Sequence, residues 1–288
     1  MPQTKIYPLL TGEVRIDRAL AHQTKLWYHP LPATGWFRGA QHKYWAPVPA
    51  HLVDTGDALV LVDTGWHEIL RESPVRALNR LALSMYQGRQ QAGQELPAQL
   101  ARLGYAIDDI THVVMTHLHS DHAAGLPYLV GSRAPVYLGP GEWREANRSP
   151  FFIQHMFRLP LAYRDVEYQP MTSVPGFDRG FDLLGDGRIV LLPTPGHTRG
   201  HQSVLVRAER EVLLTADIAY DREALVQGIL PGSLTAPAKA RASLARVRAF
   251  TQGRPEAIVQ YGHDPVTWAA TSREILALNG EQRARPAA

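Results

Sequence analysis

Apolar positions along this chain follow two periods. Short apolar runs rich in Val, Ile, Leu and Thr recur at residues 111–116, 189–192, 203–206, 212–215 and 257–259, and each predicts a buried strand. His51-Leu52-Val53, the turn Asp54-Thr55-Gly56-Asp57 and residues 58–62 predict a β-hairpin, closed by Asp63-Thr64-Gly65. Elsewhere the spacing is helical. Leu96, Leu100 and Leu103 share one face of a short helix over 96–103. Ala240, Leu244, Val247 and Phe250 form a stripe over 239–250, with Arg241, Arg246 and Arg248 off it. A further helix is predicted over 265–278, with Pro265 in its first turn. Strands and helices interleave, so the class is α/β. Residues 141–170 break the rhythm with Trp143, Phe151, Phe152, Phe157, Tyr163, Tyr168 and four Arg. That stretch reads either as a surface excursion covered by its own side chains or as a loop that walls a pocket. No repeat or long polar linker interrupts the chain, so one domain over 1–288 is expected, with a frayed tail over 282–288.

Composition narrows the function classes. In 288 residues, 45% are hydrophobic and 20% charged, enough apolar matter for a core. No apolar run approaches the roughly 18 residues of a membrane span, and residues 1–10 lack the pattern of a secretory leader. No membrane partner is expected, and the cytoplasm is the expected compartment. The chain has no Cys, which excludes disulfides, thiolate nucleophiles and zinc sites built on Cys. The net charge of +3 is spread along the chain, and no nucleic-acid partner is expected. The unusual count is 13 His.

Four of the chemistry-bearing residues fall in one segment, Thr116-His117-Leu118-His119-Ser120-Asp121-His122, directly after the apolar Val113-Val114-Met115. In an extended chain side chains at i and i+2 point the same way, so His117 and His119 can hold one ion together. Asp121 and His122 lie just beyond, where the chain turns toward a helix, and can hold a second. Three other strands run into a coordinating side chain: 189–192 leads to His197, 212–216 to Asp217 and 257–262 to His263. Sites in α/β sheets gather at the carboxyl ends of strands, so these endings suggest one shared site. The Gly before His197 and before His263 is read as letting the backbone turn sharply.

On these residues the chain resembles the metallo-β-lactamase superfamily, with its His-x-His-x-Asp-His signature, and within it the N-acyl-homoserine lactonases. The resemblance runs from Tyr7-Pro8-Leu9-Leu10-Thr11-Gly12 to Gly262-His263-Asp264. It implies an αββα sandwich with a dinuclear site at one end. It also implies His117, His119 and His197 on one divalent metal, Asp121, His122 and His263 on the other, and Asp217 bridging. Zinc is the expected metal, with Co, Mn and Fe as alternatives. A bridged pair of ions supplies hydroxide near neutral pH and polarises an ester carbonyl, so direct hydrolysis of a lactone by a bridging hydroxide is expected. The resemblance casts two residues as catalytic: Tyr220, three residues after Asp217, as a donor to the oxyanion, and Asp121 as the acid for the leaving alkoxide. The loop Gly196-His197-Thr198-Arg199-Gly200-His201-Gln202-Ser203 is also similar to the lactonase form. His201 reads as structural and Asp63 as a carboxylate that orients a ligand. The partner is a small lactone carrying an acyl chain, for which Trp27, Tyr28, Trp36, Phe37, Trp45 and the aromatics of 141–170 are the candidate walls. A homodimer is compatible with the reading. The rival substrates on the same scaffold are phosphotriesters and thioesters.

Overall fold

In the computed structural model, which describes residues 3–280, the strands build two sheets. In chain order they are β1 (Lys5–Asp17), β2 (Lys43–Asp54), β3 (Leu59–Val62), β4 (Gln87–Arg89), β5 (His112–Val114), β6 (Val136–Leu138), β7 (Tyr163–Asp165), β8 (Gln169–Pro170), β9 (Arg179–Asp182), β10 (Ile189–Pro193), β11 (Gln202–Arg207), β12 (Glu211–Ala216) and β13 (Ile258–Tyr261). The first sheet has the order β4-β1-β2-β3-β5-β6-β7 and the second β13-β12-β11-β10-β9-β8. In the first, β1, β2 and β3 are antiparallel neighbours, and β3, β5, β6 and β7 run parallel. In the second only β12 and β13 are parallel.

The apolar runs lack polar alternation because both faces of each sheet are covered. Val60 and Val62 of β3 face inward onto Leu191, Val204, Val206, Val212 and Leu214 of the second sheet. Their neighbours Leu59 and Leu61 face outward onto Leu96 and Leu100 of the Leu96–Arg102 helix. On the far side of the second sheet, Val190, Leu192, Leu205 and Leu213 meet Ala240, Leu244, Val247 and Phe250 of the Pro237–Gly253 helix. Helix, sheet, sheet, helix is the αββα sandwich. Each of these fully buried Val, Leu or Phe side chains contributes about 1.5–3 kcal/mol.

Several boundaries differ from the expected ones. The helix expected from Pro265 starts at Trp268. The Asp264 carboxylate accepts from the backbone N–H of Val266 and of Thr267 and from the Thr267 hydroxyl, which holds a turn where the first helical turn was expected. The strand expected over 111–116 spans only His112–Val114, because Thr116 leaves the ladder for the Asp63 carboxylate. Residues 5–17 and 43–50 carry no strand prediction, yet they form β1 and most of β2. The tail over 282–288 lies outside the described residues.

Residues 141–170 contribute to the protein on three levels. Phe152, Ile153, Met156 and Phe157 are buried, β7 extends the first sheet, and Phe151 is exposed beside a cavity. No helix among the described residues is long and apolar enough to cross a membrane.

Candidate metal centre

The ends of β3, β5, β10, β12 and β13 meet at one edge of the sandwich. β12 finishes in Ala216, whose φ of 48° is left-handed and costs about 1–2 kcal/mol for a residue with a Cβ. That turn breaks the β12–β13 register and swings Asp217 out of the strand. Asp63 at the end of β3 has a similar φ of 57°. Such strain persists only where the surroundings over-determine it. Gly196 has φ 139° and a Cβ there would lie 2.2 Å from the Ala240 nitrogen, so the turn before His197 does require glycine. Gly262 has a different reason from the expected one. Its φ is ordinary, but a Cβ would lie 2.8 Å from both the Ala216 carbonyl and the Asp217 Oδ1.

The seven residues singled out in the sequence come together in two groups. His117, His119, His197 and Asp217 form one, and Asp121, His122 and His263 the other, with donor atoms within 4.8 Å of one another in each. Asp217 stands between them. Its Oδ2 lies 3.4 Å from His197 Nε2 and 3.9 Å from His117 Nε2. Its Oδ1 lies 3.3 Å from His122 Nε2 and 3.3 Å from His263 Nε2. Asp121 Oδ2 is 3.3 Å from His263 Nε2.

The outer ring nitrogens fix what the inner ones offer. His122 Nδ1 faces Asp63 Oδ2 at 2.8 Å, His263 Nδ1 faces the Pro47 carbonyl at 2.8 Å, and His197 Nδ1 faces the Ser233 carbonyl at 3.1 Å. Each of these acceptors requires a proton on Nδ1, which leaves the Nε2 lone pair aimed inward. His117 Nε2, His122 Nε2 and Asp217 Oδ1 are buried without a hydrogen-bond partner. His197 Nε2 and His119 Nδ1 meet at 2.9 Å. A buried polar atom without a partner costs about 1–3 kcal/mol, and lone pairs gathered from several side chains within each group are what a cation binds. The donor set therefore fits divalent metal ions.

Charge points the same way. Burial lowers the pKa of His117, His119 and His197, so these stay neutral, as ligands must. Burial also opposes a proton on His122 and His263, but the carboxylates around them, Asp217 above all, outweigh it, so this half attracts positive charge, and a metal ion bound there would take the place of the extra proton on Nε2. His263 is pushed up to about 10. His201 is excluded as a ligand, because both nitrogens are used. Nδ1 is held by Thr194, and Nε2 accepts from the Asp217 backbone N–H at 3.1 Å.

A cavity of about 570 Å³ opens over the site. His119, Asp121, Asp217, Tyr220 and His263 floor it, and Leu26, Leu31, Trp36, Met85 and Phe151 wall it. Tyr220 is buried, with ring centroids 6.1 Å from His197 and 5.1 Å from His263. Of the aromatic walls expected near the N-terminus only Trp36 lines this cavity. Trp27 and Phe37 are almost fully exposed, Tyr28 is exposed, and Trp45 is covered by the Arg89 guanidinium 4.0 Å above its ring. Sequence reasoning missed two residues. Tyr86 lines the cavity and hydrogen-bonds the Ser120 hydroxyl at 2.7 Å. Glu142 is wholly buried behind the His loops, and burial pushes its carboxyl up to about 7. Tyr86 precedes the short β4 and Glu142 follows β6, and neither strand was predicted from the sequence, so nothing in the spacing marked them.

A family model described as the metallo-beta-lactamase superfamily matches residues 44–263. The chain belongs to the metallo-beta-lactamase superfamily. The superfamily's divalent-metal chemistry accords with the donor set above. An N-acyl homoserine lactonase from a Bacillus species is 30% identical over 229 residues, covering 76% of this chain and 81% of that one. An N-acyl homoserine lactonase from Rhizobium radiobacter is 30% identical over 179 residues, 59% of this chain and 64% of that one. Among solved structures, a quorum-quenching N-acyl homoserine lactone lactonase at 25% identity superposes with a TM-score of 0.71, covering 94% of this chain and 96% of the other. An N-acyl homoserine lactone hydrolase with the product N-hexanoyl-L-homoserine at its catalytic metal centre gives 0.74 at 24% identity, covering 94% and 97%.

Proposed function

We propose that this chain is a zinc-dependent hydrolase that opens the lactone ring of N-acyl homoserine lactones without a covalent acyl-enzyme. The observation that carries the reading is the buried Tyr220 phenol, set in the cavity floor between His197 and His263. The lactonase relatives support the substrate class. The His and carboxylate donor set suits zinc.

His117, His119 and His197 would hold one ion, Asp121, His122 and His263 the other, and Asp217 both. When bound, such a pair acidifies water and polarises an ester carbonyl. The chain's own groups do the rest. Burial first, then the nearby Asp217 charge, hold the Tyr220 phenol well above its usual pKa, so it remains a proton donor. It donates to the carbonyl oxygen as that oxygen gains charge. Burial disfavours the charged form of Asp121, but His122 and His263 outweigh it and keep its pKa low. As a carboxylate it accepts the proton released when water adds to the carbonyl. It returns that proton to the ring oxygen as the carbon–oxygen bond breaks. The acyl chain lies along Leu26, Leu31, Trp36, Met85 and Phe151, where each buried CH₂ contributes about 0.8 kcal/mol.

Side-by-side turnover of an N-acyl homoserine lactone, a thioester and a phosphotriester by the metal-loaded protein tests the reading. The lactone is expected to be the best substrate, and an inert lactone beside rapid phosphotriester cleavage would overturn it. Tyr220→Phe is expected to lower kcat about 10- to 100-fold, the worth of one hydrogen bond to a developing charge. Unchanged kinetics would reduce Tyr220 to a packing residue.

A further inference from the structure

Glu142 opens the short Glu142–Ala146 helix after β6 and is 0% exposed. Its carboxylate accepts three hydrogen bonds from two separate loops. Oε1 accepts from the Leu118 backbone N–H at 2.9 Å. Oε2 accepts from the Thr198 hydroxyl at 2.6 Å and from the Gly200 N–H at 3.0 Å. Leu118 lies between His117 and His119, and Thr198 follows His197. One side chain therefore ties together the two loops that carry all three His of one group.

The same helix makes a second tie, Glu145 Oε2 accepting from the Arg199 N–H at 2.5 Å. The backbones are pressed together here. A Cβ on Gly200 would lie 2.4 Å from the Gly139 carbonyl and 2.6 Å from the Glu142 Cβ, so nothing larger than hydrogen fits between them. The other group is framed by different residues, Asp63 behind His122 and the Pro47 carbonyl behind His263. Glu142 lies outside the cavity lining, and its hydrogen bonds go to the Leu118, Thr198 and Gly200 loops and not to that second frame.

We propose that Glu142 is a positioning residue that sets the affinity of one metal position only, the one framed by His117, His119 and His197. The proposal rests on the two-cation reading of the site and is independent of the substrate. A carboxylate is required because it accepts on both oxygens. Glutamine keeps one acceptor oxygen and turns its NH₂ toward a backbone N–H, so at least one loop loses its anchor. Losing a group that orients metal ligands typically costs about 10- to 100-fold in metal affinity.

The test is competition of the zinc-loaded protein with a chelator, together with anomalous scattering from crystals of each variant. In Glu142→Gln one of the two ions is expected to weaken about 10- to 100-fold while the other holds within about twofold, with the lost density at His117, His119 and His197. Thr198→Val removes only the hydroxyl donor to Oε2 and keeps the branched shape. It is expected to weaken the same ion by a smaller factor, and it decides the matter if Glu142→Gln does not fold. Equal weakening of both ions, or no weakening in either variant, overturns the proposal. A wild-type chain that binds fewer than two ions overturns the two-cation reading, and that failure is visible before any variant is made.

Discussion

Asp217→Ala is expected to cut bound metal from two ions per chain to one or none, and to lower kcat/KM at least about a thousandfold, some 4 kcal/mol of transition-state stabilisation. Among the described residues Asp217 is the one carboxylate whose two oxygens face separate His pairs, at 3.3–3.4 Å on its nearest approaches. Two dications about 4 Å apart repel by roughly 16 kcal/mol even at an effective dielectric near 20. A carboxylate between them offsets that repulsion, whereas an alanine leaves it standing. Burial works against the Asp217 charge, but His263 and His122 outweigh it and hold its pKa well below the usual range, which favours the charged carboxylate. Elemental analysis and steady-state turnover read the two losses separately. Near wild-type metal content with near wild-type turnover would show that the bridge is not needed.

Asp121→Asn is expected to lower kcat on an oxygen lactone by about 10²- to 10⁴-fold, the usual worth of a positioned acid–base group. Asparagine keeps the shape and one oxygen but carries no exchangeable acid proton at this position. Asp121 also faces His263 at 3.3 Å, so part of any loss comes from weaker metal binding. A thiolactone separates the two contributions. Its leaving thiolate is far less basic than an alkoxide, with a thiol pKa of about 8.5, and departs without help. The variant is therefore expected to retain much more activity on the thiolactone than on the lactone, both measured at full metal loading. Equal losses on both substrates would remove the leaving-group acid role and leave Asp121 as a ligand or as the base for the attacking water.

Much of this could be read in the sequence, and the parts that could not have physical reasons. β10, β11 and β12 were visible because strands covered on both faces become unbroken apolar runs. β1 and the first half of β2 were not. Pro8, Pro47 and Pro49 lie inside them, and the Thr11-Gly12 irregularity shifts the register between Leu10 and Glu13. The seven clustered side chains were legible because they sit within one tight segment or at strand ends, where topology alone brings them close. The substrate wall was not, because an aromatic run does not say which way it faces. Trp36 lines the cavity while its neighbour Phe37, at φ 57°, turns to solvent. Glu142 was hidden for a related reason: a carboxylate beside Trp143 and Arg144 reads as surface until the fold buries it against the loops of His117 and His197.

The most direct test of the central claim is anomalous scattering at the zinc edge from crystals of the zinc-loaded protein. Two peaks are expected, one on each side of the Asp217 carboxylate and about 3.5–4 Å apart. One is expected against His117, His119 and His197, the other against Asp121, His122 and His263. A single peak, or peaks away from Asp217, would contradict the account.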